Sequence, residues 1–578
     1  MYLSAIKIDN YRNLDGIKVH FDEAINFIVG ENNLGKTNFL ELLNSILNRS
    51  SFSESDFFDC DKPISIDISF WLPDDEIGYF GDLFDPQNRN LINVSVSQET
   101  PEDPIRFCHQ ETGTYISPSQ IRGSNYIRYD SLRNPINELN FEKNRGVGKF
   151  LNYLSKRFFK QKELDHIDFI DASKLVDLLK YINSSLGLIK PFKDFGIAAT
   201  LEDDAEDLIA KLIVLRDSNN YSLKAVGFGV QFLVLFPLLI FEKLIVSGKK
   251  LSPSIFKSEH GSHISIILGL DEPEIHLHPY MQRSLVKYLS RIITSNDVEF
   301  QGLFKYVFDI DKINGQLIMA THSPNILFND FSQIVRFYKD KSGALQVVSG
   351  ANILLDAQAK KHLHRNFPFV KEAFFSRCVI LVEGDTEKGA LPGFASAIKI
   401  NGVSVDLDEL GISIVQADGA NSIPPIMKML GMFGIKSVGV IDNDKYQSET
   451  KKFEGIPDLF VTSQLDFEGE IVQHIKETDR SKSLYKVLED HDSQGLKRCM
   501  FQNPVNNARI RYGLNIPENV MIVAEQIQDW DNFSGFFLSW LSVNKSISIG
   551  ITLGTLLLED DIPAVYKNAI ARAVELAI

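Results

Sequence analysis

Residues Gly30–Thr37 read GENNLGKT, between an apolar run at Ile25–Val29 and a helical pattern, FLELLNSIL. This is G-x-x-x-x-G-K-[ST] in full, in the strand–loop–helix setting that gives the motif meaning. A chain carrying it is expected to build a parallel sheet whose loop N–H groups and helix N-terminus cradle a phosphate chain. Gly30, Asn32, Asn33, Gly35, Lys36, Thr37 and Asn38 are the expected ATP contacts. Lys36 would reach the β/γ-phosphates and Thr37 would hold Mg²⁺.

Such a loop needs acids from another strand, and a second piece lies far downstream. Ile264–Leu270 (ISIILGL) is an apolar strand running into Asp271-Glu272-Pro273. Asp271 would support Mg²⁺ through its water shell, and Glu272 would polarise the attacking water. Gln316–Ala320 is another apolar strand, followed by Thr321-His322-Ser323, where His322 can sense the γ-phosphate.

Composition narrows the setting. With 578 residues the chain is expected to form three or four folding units. It is 44% hydrophobic and 24% charged, a globular balance. Cys60, Cys108, Cys378 and Cys499 show no paired spacing, which fits a reducing cytoplasm and argues against disulfides or zinc. The start, MYLSAIKIDNYRN, has no apolar signal core. Phe232–Phe241 is unbroken apolar sequence, but it is too short to span a bilayer and is bounded by Gln231, Glu242 and Lys243. A buried helix is expected there, and no membrane association.

A formal charge of −16 excludes a whole-surface embrace of nucleic acid, so any contact needs a local basic patch. Lys143–Lys162 is one candidate: Lys143, Arg145, Lys149, Lys156, Arg157, Lys160 and Lys162 interleave with Phe150, Tyr153, Phe158 and Phe159. The same pattern describes an amphipathic helix with a solvated basic face, which is the expectation here.

The C-terminal half carries a different chemistry. CVILV from Cys378 runs into Glu383, ISIVQ follows at 412–416, and SVGVI at 437–441 runs into Asp442-Asn443-Asp444, with helical stretches between. Alternating strands and helices imply a parallel sheet whose site lies at the carboxyl ends of the strands. Glu383, Asp442 and Asp444 fall there. Acids held together repel one another unless cations neutralise them. Mg²⁺ suits such oxygens, and two ions could activate water and stabilise the leaving oxygen in phosphodiester cleavage. Glu387 reads as a further ligand or as a first-turn acid favoured by the helix dipole, and Asp385 as a helix N-cap.

These motifs together carry a resemblance. IDNYRN, GENNLGKTN, DEPEIHLHP and ATHSP resemble the ATPase heads of the structural-maintenance and RecF-like branch of ABC ATPases. EGDTEK with DND resembles the Toprim domain, and the two in this order resemble the OLD (overcoming lysogenization defect) family of prokaryotic nucleases, including the nuclease subunit of the Gabija antiphage system. The resemblance implies an α/β fold, with an ABC-type head over 1–80 and 205–350 and an insert over 81–204 that serves dimerisation. A connecting segment at 351–377 and a Toprim domain over 378–578 would follow. It implies a signature loop at Ala225–Gln231, lacking the usual serine, in which Gly227, Gly229 and Gln231 complete a partner's ATP site. It adds Asp466 and Glu468 as metal ligands, Glu470 in the same register, and Lys545 as a residue acting on the scissile phosphate; Lys545 also reads as a plain surface lysine.

The expected function is an ATP-regulated DNA endonuclease or nickase, with Glu383, Asp442, Asp444, Lys545 and Glu272 catalytic. Its cofactors would be ATP and two Mg²⁺ ions, with Mn²⁺ as an alternative. The resemblance places it in antiphage defence as a homodimer or higher homo-oligomer, with a neighbour-encoded helicase or other defence protein as a further partner. The competing reading is an ATP-driven scaffold or clamp whose Toprim half binds a partner and cuts nothing. A RecF-like repair ATPase is excluded by the second half.

Overall fold

The computed structural model describes residues 1–130, 148–162, 172–190, 196–201, 213–217, 219–222, 227–246, 254–258, 261–275, 277–328, 330–354, 365–478, 480–491, 511–513 and 530–578. The chain forms two units, Met1–Asn352 and Ile353–Ile578.

In the first unit, sequence periodicity separates two kinds of sheet. ISIDISFW (β4, Ile64–Trp71) and LINVSVSQ (β5, Leu91–Gln98) bury alternate residues, as strands with one covered face must. They pair antiparallel in a five-stranded sheet, order β2-β1-β4-β5-β6, with β1 at Tyr2–Asp9, β2 at Lys18–His20 and β6 at Arg106–His109. By contrast INFIVG (β3, Ile25–Gly30) is buried throughout, and β11 (Gly261–Asp271) is buried from His263 onward. They are central strands of a seven-stranded sheet, order β10-β11-β12-β3-β13-β14, where β10 is Ile255–Ser258, β12 Lys312–Ala320, β13 Ile334–Lys339 and β14 Leu345–Ser349. β7 (Tyr126–Tyr129) joins the far half of β11 in parallel. A hairpin of β8 (Ile197–Leu201) and β9 (Ile213–Asp217) stands apart from these sheets.

The expected insert at 81–204 is therefore too wide. β5 and β6 extend the sheet of β1 and β4, and β7 lines the nucleotide sheet, so these strands are part of the head. The later insert helices, Gly148–Lys162 and Ala172–Leu186, also pack on the head. Phe150 lies 4.8 Å from Phe241, and Tyr153 and Arg157 donate to the Val307 carbonyl at 3.2 and 2.6 Å. This is the amphipathic reading of the basic stretch: its aromatic face is core and Arg157 is spent on a carbonyl. Lys143 and Arg145 lie outside the described residues, as do 131–147 and 163–171 of the insert. Phe228–Val246, which contains the apolar run, is a helix with Leu233, Val234, Leu235 and Leu238 fully buried. Among the described residues no helix is long and apolar enough to cross a membrane.

The second unit is built on a four-stranded parallel sheet, order β18-β15-β19-β20. Here β15 is Cys378–Val382, β18 Ile412–Gln416, β19 Lys436–Ile441 and β20 Leu459–Val461, and the short hairpin β16–β17 lies at Lys399–Ser404. Of the expected connecting segment, 365–377 belongs to this unit, where Phe374 packs edge-on against Phe433 at 5.0 Å; 351–352 belong to the first unit and 355–364 lie outside the described residues. Two helices, Asp385–Ala397 and Ile547–Leu556, cross at backbone contact. A Cβ on Gly389 would stand 2.4 Å from the Ile547 carbonyl oxygen, and one on Gly550 would stand 2.2 Å from that of Thr386. Only glycine permits this approach, and it brings Lys545, just ahead of the second helix, toward the acids of the first.

Candidate functional sites

The nucleotide loop takes its shape from its glycines. Gly30 ends β3 at φ 141°, where a Cβ would meet the Phe337 carbonyl oxygen at 2.2 Å. Gly35 caps the helix Lys36–Asn48 at φ 96°. Asn33 also takes positive φ, and Asn32, Asn33 and Thr37 are exposed along the loop. Asn38 faces the other way, accepting from Arg12 at 2.8 Å and donating to Asn13 at 2.8 Å, so it braces the helix start against the N-terminal segment.

Parallel register carries the remaining parts to the same edge. β11 and β12 align Asp271 with Ala320, so Thr321 and His322 emerge beside Asp271 and Glu272. Thr37 Oγ1 donates to Asp271 at 3.2 Å. Lys36 is buried and folds back to donate to the Gly30 and Glu31 carbonyls at 2.9 and 2.7 Å. Burial pulls its ammonium down to about 8 against the opposing pull of Glu272 and Asp271. Burial pushes the Asp271 carboxyl up. Glu272 holds left-handed backbone at φ 46°, a strained choice for a glutamate, and its carboxylate lies 3.4 Å from His322 Nε2. Burial, then Lys36, lowers the His322 imidazole.

Sequence reasoning passed over Glu274. It is half-buried, accepts from Thr321 Oγ1 at 2.9 Å and from the His322 N–H at 2.6 Å, and so fixes the histidine loop. Its signal was the second acid of DEPE. Of the signature positions, Gly227 is exposed at the head of its helix, whereas Gly229 and Gln231 are buried. Ala225 and Val226 lie outside the described residues.

In the second unit Glu383 follows β15 and Asp442 follows β19, at the strand ends where a parallel sheet collects its ligands. Glu383 accepts the Asp442 N–H at 2.6 Å, which ties the two strand ends together. Glu387, on the first turn of its helix, is 7% exposed; Asp466 is fully buried and Glu468 nearly so. Burial raises the Asp442 carboxyl, and Glu387, Glu383, Asp466 and Glu468 push it further. Burial likewise raises Glu387, reinforced by Glu468 and Glu383. Burial also raises Glu383 and Glu468. Each of these groups lies in the others' field, and Glu383 and Asp442 are joined directly by a hydrogen bond.

Asp444 lies at the rim with its Oδ1 buried and without a hydrogen-bond partner. Lys545 Nζ lies 2.5 Å from Glu468 and 3.6 Å from Asp466. Burial opposes its charge, yet Glu468 and Asp466 hold the ammonium above its usual range. This is no plain surface lysine. Two expectations change. Gly384, not Asp385, is the N-cap, because Asp385 is already the first helical residue. Glu470 leaves the cluster: it accepts from the Ser463 N–H and hydroxyl and from the Gln464 N–H at 2.7–2.8 Å, latching the loop after β20.

Two residues of this site had no sequence signal. Arg511 bridges Asp444 at 3.0 Å and Asp466 at 2.8 Å, and the Tyr512 hydroxyl donates to Asp466 at 2.5 Å. The donor set is wholly oxygen, with an orphaned buried carboxylate oxygen, which fits a hard divalent cation such as Mg²⁺ and not a thiophilic metal. Glu383, Glu387, Asp442, Asp444, Asp466 and Glu468 are the residues that would hold it.

The sequence comparisons match both units. The AAA ATPase domain family matches residues 1–145 and 133–327, and the overcoming lysogenization defect protein-like Toprim domain matches residues 374–444. Endonuclease GajA of Bacillus cereus (strain VD045) is 24% identical over 67% of this chain and 66% of its own, so the chain spans just under two thirds of that relative. Old nuclease of Escherichia phage P2 is 23% identical over 76% of this chain and 77% of its own. OLD nuclease of Thermus scotoductus (strain ATCC 700910 / SA-01) is 23% identical over 78% and 84%. ATPase and Toprim domains imply nucleotide and divalent-metal use. The ATPase model covers more than half of the chain, which therefore belongs to the AAA ATPase domain family, and its second unit carries a match to the OLD-like Toprim domain.

Proposed function

We propose that the chain is a metal-dependent DNA endonuclease or nickase whose cutting is regulated by ATP at the head, acting in antiphage defence. The observation that carries the reading is the meeting of half-buried Glu383 and Asp442, joined by a hydrogen bond, with buried Glu387 and Glu468, the latter drawing in Lys545; all four carboxyls are pushed up. So much mutual repulsion is costly unless a cation belongs there. The names of the relatives, GajA endonuclease and OLD nuclease, point to the same chemistry.

Divalent ions held by these acids, Mg²⁺ or Mn²⁺, would activate water and stabilise the leaving oxygen of a phosphodiester. The protein's own residues do the rest. Glu383 fixes the end of β19 by accepting the Asp442 N–H. Lys545, drawn in by Glu468 and Asp466, brings a positive charge to the place where a phosphate gains negative charge. At the head, Lys36 would trade its two loop carbonyls for phosphate oxygens, Thr37 and Asp271 would hold the nucleotide's cation, and Glu272 and His322 would act on the γ-phosphate side. Gly227 is exposed to complete a partner's site, so the working form is a homodimer or higher homo-oligomer in the cytoplasm. A neighbour-encoded helicase or other defence protein is a further partner.

The test is incubation of the pure protein with supercoiled plasmid and Mg²⁺ or Mn²⁺, with and without ATP, against a chelator control. Nicked or linear product that depends on metal is expected. Intact plasmid under every metal and nucleotide condition would return the chain to the scaffold reading.

A further inference from the structure

An acidic chain must contact nucleic acid through a local basic patch, and in the Lys143–Lys162 stretch Lys149 pairs with Glu242 and Arg157 donates to a carbonyl. A cavity of about 550 Å³ in the head supplies a different one. Its walls are the end of the nucleotide-loop helix (Arg49, Ser50), β6 with its approach (Pro104–Cys108), Tyr115, Pro118 and Arg122. Three arginines line it and no carboxylate does, in a chain of net charge −16. Arg49 is paired with Glu41 behind it, but Glu41 also takes Arg128. Among the described residues Arg106 and Arg122 have no acid partner; Arg122 donates to the Arg49 carbonyl at 3.0 Å, which holds its guanidinium at the rim.

The cavity is preformed. The Ile105 N–H donates to the Ser50 carbonyl at 2.9 Å, the Ile116 N–H donates to the Phe107 carbonyl at 2.9 Å, and Ile105, Phe107 and Ile116 are buried. Its rim carries Tyr115, a phenol 63% exposed among the described residues. Guanidinium forks suit phosphate oxygens, and an exposed aromatic face suits a nucleobase. The volume falls in the range that takes a nucleotide-sized ligand.

We propose that this cavity binds a nucleotide unit, its phosphate on Arg106 and Arg122 and its base on Tyr115, and is a nucleic-acid contact of the head separate from both the ATP loop and the carboxylate cluster. The inference rests on the nucleic-acid part of the proposed function, but it does not need cleavage. The walls also begin where the nucleotide-loop helix ends, about 20 Å along that helix from Gly35.

The experiment measures binding by fluorescence anisotropy in a chelator, where nothing is cut and the bare acids of the second unit repel DNA. Labelled 25-mer duplex and single strand are the probes. Arg106→Glu with Arg122→Glu is expected to weaken binding tenfold or more, and Arg106→Ala with Arg122→Ala to flatten the salt dependence by about two units of slope. Tyr115→Ala should weaken the single strand several-fold. Arg106→Lys should restore part of the Arg106→Ala loss, and unchanged melting curves show that the variants are folded. Adenosine monophosphate displacing the strand at micromolar concentration identifies a free nucleotide as the natural source, and no displacement identifies a nucleic-acid strand. Wild-type affinity and salt slope in both double variants overturn the proposal. If wild type never cuts plasmid yet these variants lose binding, the nuclease reading falls and this site stands.

Discussion

At the ends of β3, β11 and β12 one lysine, Lys36, faces Asp271, Glu272 and Glu274, all carried on the sheet or its immediate loops. At the ends of β15 and β19 the acids Glu383, Glu387, Asp442 and Glu468 crowd together, and the balancing cations, Lys545 and Arg511, come from far along the chain. Both sites use the carboxyl ends of parallel strands, yet in neither do the cations match the acids in number. The first folds its cation onto its own carbonyls until an anion arrives. The second holds protons and side-chain cations until metal ions arrive. A parallel sheet thus supplies a place, and the charge left unbalanced there determines which ligand belongs.

The comparison breaks first at the second site. Asp442→Asn and Glu383→Gln should each lower plasmid cleavage on the order of a thousandfold, and the double variant should be little worse than either, since one assembly is lost in each case. ATP binding at the head should be unchanged in both, because the proposed holders of that cation are Thr37 and Asp271. Plasmid-cutting assays beside ATP-binding titrations check this. Full cutting by Asp442→Asn would mean that another site does the chemistry.

At the first site, Lys36→Ala removes the ammonium proposed to grip the β/γ-phosphates and should weaken ATP binding about a hundredfold, with the melting temperature of the nucleotide-free protein little lowered. Glu272→Gln should bind ATP normally and turn it over slowly. Wild-type turnover in that variant would reassign the water-facing role, and Glu274 is the wrong substitute because it is committed to Thr321 and His322.

How much of this was legible differs between the sites for physical reasons. The nucleotide site announces itself: the motif is contiguous, and β3, β11 and β12 are buried apolar runs that read as central strands. Glu383 and Asp442 are legible because each ends such a run. The insert bounds implied by the resemblance take in LINVSVSQ, whose period of two is that of a half-covered strand despite its polar residues. Lys545 was legible only through family resemblance, because its role depends on two glycine-lined helices crossing. Arg511 and Tyr512 had no signal at all: nothing local predicts that a turn of helix there will reach two acids 67 and 45 residues upstream.

Arg511 tests whether the second site holds side-chain cations in place of metal. Arg511→Ala removes a guanidinium that bridges Asp444 and Asp466. If it competes with metal, Mn²⁺ affinity measured by calorimetry should rise about tenfold. If affinity falls instead, Arg511 holds the ligands in place and does not compete for them.

The smallest expected effect is also the sharpest contrast: the two sites should answer pH in opposite directions. Burial lowers Lys36 to about 8, so the nucleotide-free loop loses its positive charge as pH rises through that value. ATP binding must then restore a proton, and affinity should weaken several-fold per pH unit above about 8. Asp442 and Glu387 are shifted the other way, upward, so without metal they keep protons above the ordinary carboxylate range. Metal must displace those protons, and Mg²⁺ or Mn²⁺ affinity should strengthen several-fold per unit as pH rises from about 6. Calorimetry in buffers of different ionisation enthalpy reads both, with proton uptake on ATP binding and proton release on metal binding. In Asp442→Asn the metal-linked release should shrink while the ATP-linked uptake persists; release of equal size in that variant would place the protons on other groups.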